Sequence, residues 1–135
     1  MTRRLLDANL VLRFLLDDHR TLSPRASALF REAAEGRCTL VLTDVVLAEC
    51  VWVLRSFHEE SHEQIALVLS SLVTEPGIDT EDTELIVDAL ERMARTRIDY
   101  VDCCLAARAA RADVPIASFD RDFRKFDDIR LWKPS

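Results

Sequence analysis

The chain has 135 residues, 49% apolar and 31% charged, which suits one globular domain with a real core. Its formal net charge of −6 does not favour a protein that coats nucleic acid by bulk charge alone. No apolar run reaches the length of a membrane span, and Asp7 and Arg13 interrupt the N-terminal one. That excludes a spanning helix and argues against a secretory leader, so a cytoplasmic location is expected.

In chain order, residues 3–7 (RRLLD) read as a short strand ending on an acid. Residues 8–17 continue with helical spacing through Leu12, Leu15 and Leu16. Ser23-Pro24 marks a helix start with Pro at the first helical position, and Gly36 marks its stop. CTLVL (38–42) is a strand, and Thr43-Asp44 can cap a helix over 45–56. Ser61 followed by Gln64 resembles a capping box for a helix over 62–72. Pro76-Gly77 is a turn, with a short strand bracketed in VTEPGI. A helix follows from about 80 to 95, and Asp99 opens another, rich in Ala, to about Ala112. VPIAS (114–118) is a strand, FDRDF a turn or short helix, and IRLW (129–132) a closing strand. Strands alternating with helices along one chain predict an α/β fold, a parallel sheet with helices on both faces.

The acids carry the functional signal. Asp7, Glu49, Asp102 and Asp120 each lie in or directly after an apolar run. Ionised carboxylates there are costly unless a positive charge neutralises them, and a divalent cation is one economical answer. Asp7 and Asp120 follow strands, at the strand ends where open α/β sheets bind ligands. Glu49 has Val45, Val46, Trp52 and Val53 at three and four residues' distance, which assigns it to a buried stripe. Asp102 shares its helix side with Ile98, Leu105 and Ala106 and stands in the first turn, where the dipole favours negative charge. Local roles compete: Asp7 could cap the following helix, Asp102 could pair with Asp99 in an acidic capping box, and Asp120 could cap RDFRKF. A lone buried Glu49 has the weakest local explanation. If the acids cluster, mutual repulsion should raise at least one of their pKa values.

Other chemistries find little support. With only Gly36 and Gly77 there is no glycine-rich phosphate cradle and no Gly-x-Ser-x-Gly nucleophile turn. His19, His58 and His62 sit in polar, exposed-looking settings, and the four cysteines read as reduced, mostly buried thiols. A phosphoacceptor receiver would need paired acids after the first strand, and an Asp-x-Asp phosphatase a second acid. Asp7 is followed by Ala8 and Asn9. Arg13, Arg55, Arg108 and Arg121 are candidate phosphate contacts. Trp52, Phe57 and Trp132 could form an apolar surface, though core burial is the expected fate of such residues.

Four segments, LLDANLVLRFLL, VLAECVWVL, DYVDCCLAARAA and IASFDRDF, resemble the PIN domain family of ribonucleases. Their order and the chain length resemble the VapC-type toxins of prokaryotic toxin–antitoxin modules. The resemblance spans nearly the whole chain. It implies a three-layer α/β/α fold with a central parallel sheet, and acids binding Mg²⁺ or Mn²⁺. The family's metal-site acids match Asp7, Glu49, Asp102 and Asp120, with Asn9 and Ser118 at the small polar positions and Asp122 a substitute or helper for Asp120. It also implies metal-dependent hydrolysis of RNA, a small antitoxin partner and a homodimer. The alternative is a non-catalytic PIN-like scaffold that binds RNA or protein.

Overall fold

The computed structural model describes residues 2–135. The elements are β1 (Thr2–Leu5), α1 (Ala8–Leu16), α2 (Leu22–Ala34), β2 (Cys38–Val41), α3 (Asp44–Ser56), α4 (His62–Val73), β3 (Ile78–Asp79), α5 (Thr83–Thr96), α6 (Tyr100–Ala112), β4 (Ile116–Ala117), a 3₁₀ helix (Arg121–Lys125) and β5 (Leu131–Trp132). Every strand pairing is parallel, as alternation of strand and helix requires. The fold is α/β, with the parallel strands layered between helices.

The pairing falls in two patches. β1, β2 and β3 form one sheet in that order, with Leu5 opposite Val41 and Val41 opposite Asp79. β4 and β5 form the second, with Ile116 opposite Leu131. β2 is central because CTLV alternates: Cys38 and Leu40 are buried while Thr39 and Val41 are partly covered. β1 is an edge strand, exposed along its length. Arg3 pairs with Asp79 at 2.7 Å and Arg4 with Glu32 at 3.5 Å, so charge guards that edge.

Helix starts follow local chemistry. Thr43 caps α3 by accepting from Val46 N, Ser61 caps α4 by accepting from Gln64 N, and Asp82 caps α5 by accepting from Leu85 N. The second helix departs from its expected start. It begins at Leu22, so Pro24 sits at the third helical position rather than the first. Pro is tolerated there because the first turn's amides lack intrahelical partners in any case. Gly77 stands at φ +86°, and a Cβ there would strike the Ala33 carbonyl of α2. The turn into β3 therefore requires glycine.

α5 buries Leu85, Ile86, Ala89, Leu90 and Met93 at helical spacing, and α6 buries Cys103, Ala106, Ala107 and Ala109. The small residues of α6 let it pack closely against α5 and β4. Leu40, Leu42, Leu47, Leu69 and Leu90 are fully buried, and truncating one to Ala removes about 2–5 kcal/mol. Cys38, Cys50 and Cys103 are buried, Cys104 is half-buried, and all four are free thiols.

Three aromatic residues do not reach the core. Trp52 is 59% exposed, Phe57 68% and Trp132 56%. α3 turns Leu47, Cys50, Val51 and Leu54 inward, and Trp52 falls on the opposite flank. Phe57 lies past the helix end, and Trp132 sits in the terminal two-residue strand.

Candidate active site

Chain reversals after β1 and β4 place two of the four acids. β1 ends at Leu5, Leu6 is buried, and Asp7 follows as the extended N-cap of α1, its Oδ2 accepting from Asn9 N at 3.2 Å. β4 is followed by Ser118, whose Oγ accepts from Asp120 N at 2.9 Å. Asp120 Oδ1 in turn accepts from Asp122 N at 2.8 Å and caps the 3₁₀ helix. The local capping roles of Asp7 and Asp120 are thus real. They use one oxygen of each carboxylate and leave the other available as a ligand. Asn9 extends the same turn, and Asp122 Oδ1 lies 4.0 Å from Lys125 Nζ, a loose surface pair.

Helices supply the other two. Asp102 lies in the first turn of α6, half-buried. Asp99 is the N-cap residue but makes no side-chain capping bond, so Asp102 is not half of a capping box. Glu49 departs from its expected burial: it is exposed. Its expected apolar stripe is split, with Val45 80% exposed and Trp52 outward, while Val46 and Val53 are half-buried and Val46 packs against the core. The core stripe of α3 runs through Leu47, Cys50, Val51 and Leu54, and Glu49 lies about 100° around the helix from Cys50.

The electrostatics group the acids in two pairs. Burial, then Glu49, then Asp7 push the Cys50 thiol up to about 12, so both carboxylates lie near that sulfur. The Asp102 carboxyl is raised above 3.8 by burial first, then by Asp99, Asp120 and Asp122. The expected repulsion among clustered acids therefore falls on Asp102. Among the described residues no basic side chain forms an ion pair with Asp7, Glu49, Asp102 or Asp120, although Arg side chains pair with acids elsewhere. Among the described residues no three His, Cys, Asp or Glu side chains converge closely enough to hold a metal ion.

An all-carboxylate donor set suits a hard divalent cation such as Mg²⁺ or Mn²⁺, which accepts oxygen ligands and retains waters. The unneutralised charge around Asp102 fits such an ion.

Asp99 was not singled out as part of this site, yet it raises the Asp102 pKa. Its position three residues earlier, on the same helix side, was the available signal. A groove of about 570 Å³ opens beside both acids, between α3, the start of α4 and the start of α6. Trp52, Arg55, His62 and Arg97 line it together with Asp99 and Asp102. Burial first, then Arg55, lowers the His62 pKa below 6.5. His62 is half-buried, unlike exposed His58, while His19 accepts the amides of Thr21 and Leu22 at a helix start.

The candidate phosphate-binding arginines separate into two groups. Arg13 pairs with Asp18 at 3.4 Å and Arg108 with Asp44 at 3.3 Å, so each is already engaged. Arg55 donates to the Glu60 carbonyl at 2.7 Å and faces the groove. Arg121 is exposed and makes no ion pair among the described residues.

The PIN domain model matches residues 4–129. The chain therefore belongs to the PIN domain family, whose members are generally nucleases that use divalent metals. Among solved structures it is similar to the crystal structure of VapBC2 from Rickettsia felis bound to a DNA fragment from their promoter, at 16% identity over 100% of each chain and a TM-score of 0.38. No curated protein matches the sequence. No helix among the described residues is long and apolar enough to cross a membrane.

Proposed function

We propose that this chain is a Mg²⁺- or Mn²⁺-dependent endoribonuclease, the VapC-type toxin of a toxin–antitoxin pair. The observation that carries this reading is the set of four sequence-distant carboxylates with no basic ion-pair partner among the described residues, one of which has its pKa raised by burial and neighbouring acids. Family membership and the order of the four motifs support it.

Asp7, Glu49, Asp102 and Asp120 would hold the ion. When bound, it supplies acidified water and neutralises charge on the phosphate. The chain's own part is to position and exclude. Leu6 and the α1 cap fix Asp7, and Ser118 fixes the backbone of Asp120. Glu49, unpaired and exposed, is free to orient water toward phosphorus. Asn9 and Asp122 stand ready to aid Asp7 and Asp120.

The decisive assay is cleavage of structured RNA with Mn²⁺, with EDTA, and with Asp7→Asn. Cleavage is expected in the first case only. Equal product in all three ends the nuclease reading.

Two partners follow from the same reading: a small antitoxin covering the acidic groove, and a second copy of the chain. Exposed Val45 and Leu105 on α3 and α6 supply apolar surface for the second copy. Size-exclusion chromatography with light scattering checks that expectation, and an adjoining reading frame for a small DNA-binding protein checks the first. The proposed setting is cytoplasmic, and the proposed domain extends over the whole chain.

One observation favours a second reading. The acids do not converge at ion-binding distance, which suits a non-catalytic scaffold that binds RNA or protein. Calorimetric titration separates the two: absence of heat at millimolar Mn²⁺ favours the scaffold.

A further inference from the structure

We propose that the groove beside Asp102 is a nucleotide subsite of the cleavage centre, taking one single-stranded RNA nucleotide with its base on Trp52 and its phosphate between Arg55 and Arg97. It rests on the nuclease reading and names what lies next to the scissile bond.

Trp52 is the first reason. An indole 59% exposed on a helix flank forgoes the burial that Trp usually gains. Phe57 meets its ring edge-on at 5.4 Å and 76°, so the two exposed rings form one aromatic surface. An exposed aromatic ring is a stacking platform, and every base has a face to offer it. The base must be unpaired to reach it, which selects single strands, loops or bulges over duplex.

Charge is the second. In a chain of net charge −6, the groove gathers Arg55 and Arg97 around His62. Arg55 spends one donor on the Glu60 carbonyl and keeps the rest of its fork. Arg97 Nε lies 3.6 Å from Glu63 in an exposed pair, a weak contact that a phosphate can replace. Asp99 and Asp102 also line the groove and repel phosphate from their end. The groove is thus polar along its length, and a strand entering it has one favoured placement: phosphate by the arginines, scissile bond by the acids.

Spacing and size agree. Trp52 is three residues from Glu49 on α3, about 4.5 Å along the axis, so a base stacked there neighbours the acidic centre. A volume of about 570 Å³ lies in the range that encloses small organic ligands.

The test uses a short unstructured oligoadenylate in EDTA, where binding is read without cleavage. The chain has two tryptophans, Trp52 and Trp132, so Trp132→Phe leaves Trp52 as the reporter. Oligoadenylate should quench that reporter. Trp52→Ala should weaken binding roughly 10-fold with an unchanged melting temperature. Arg55→Gln and Arg97→Gln should each flatten the salt dependence by roughly one phosphate contact.

The proposal is overturned if oligoadenylate does not bind, if Trp52 emission ignores it, or if Trp52→Ala binds as tightly as the parent. It is overturned equally if Trp52→Ala turns a dimer into a monomer at unchanged affinity, which assigns the ring to a contact between copies. Cleavage with Mn²⁺ separates the two readings. Binding as expected without cleavage removes the nuclease and leaves the groove standing. Cleavage with unchanged kcat/KM in Trp52→Ala removes the groove alone.

Discussion

Two acidic regions of this molecule treat the same side chain in opposite ways. At the C-terminal end of α5, Arg92 is 4% exposed and bound to Asp128 through both terminal nitrogens, at 2.9 and 2.5 Å, and to Asp88 through Nε at 2.7 Å. Its guanidinium also lies over the Phe126 ring at 5.4 Å. Hydrogen bonding from Arg92 holds the Asp128 carboxyl below 3.8. Around Asp102, acids gather with only the loose Asp122–Lys125 pair among the described residues, and burial with its acidic neighbours raises the carboxyl above 3.8. A carboxylate whose neutralising charge is covalently part of the chain supports the fold. A carboxylate that lacks one costs the fold stability, a cost that the cation of the proposed function would relieve. The first region reads as structure and the second as a site.

The largest expected effect lies in the second region. Asp7→Asn should reduce RNA cleavage by more than about 100-fold while leaving the fold intact, because its capping bond can be kept by the amide oxygen. Circular dichroism beside the cleavage assay checks both halves. If stability falls along with activity, Asp7 belongs with Arg92 as a structural residue.

Next comes Arg92→Ala, which should cost about 2–3 kcal/mol in urea unfolding through lost bidentate bonds and lost packing on Phe126. A loss under about 0.5 kcal/mol, the range of ordinary surface changes, would erase the contrast between the regions.

Smaller effects come from pH. Asp128 has a depressed folded pKa, so its contribution is present above 3.8 and is lost as pH falls through the folded value. Asp102 runs the other way: stability falls as pH rises from 3.8 through its raised folded value. Asp102→Asn should therefore raise the metal-free melting temperature at neutral pH, by about 1–3 °C given its partial exposure, with no gain at pH below 3.8. Melting curves of the parent and of Asp102→Asn and Asp128→Asn across acid pH resolve the two slopes. Slopes of equal sign would end the comparison.

How much of this was legible in the sequence follows from the range of the forces involved. Caps and apolar periodicity are local, so α3 and α4 start where Thr43 and Ser61 indicate, while α5, expected from about residue 80, starts at Thr83 behind an Asp82 cap not read from the sequence. The parallel pairings follow from alternation of strand and helix. The start of α2 was misplaced because Pro at the third helical position is nearly as tolerable as at the first. Glu49 and Trp52 were misplaced for a tertiary reason. α3 has apolar residues on more than one face, and only packing decides which face is the core. The Arg92 clamp was invisible, since Asp128 lies 36 residues away and nothing in the α5 pattern marks a buried Arg. Of the site, Asp7, Glu49, Asp102 and Asp120 were singled out by neighbouring apolar residues in the chain, Asp99 carried a signal in its spacing from Asp102, and the place of Arg97 and His62 beside them depends on how the helices meet.

The most direct test of the account is the melting temperature of the parent and of Asp102→Asn at neutral pH, with and without millimolar Mn²⁺. The acidic region should favour the variant without the ion and the parent with it, because only the native parent binds the cation tightly. The two orders should cross on adding Mn²⁺. Parallel curves, with the same difference in both conditions, would contradict the claim that these carboxylates await a cation.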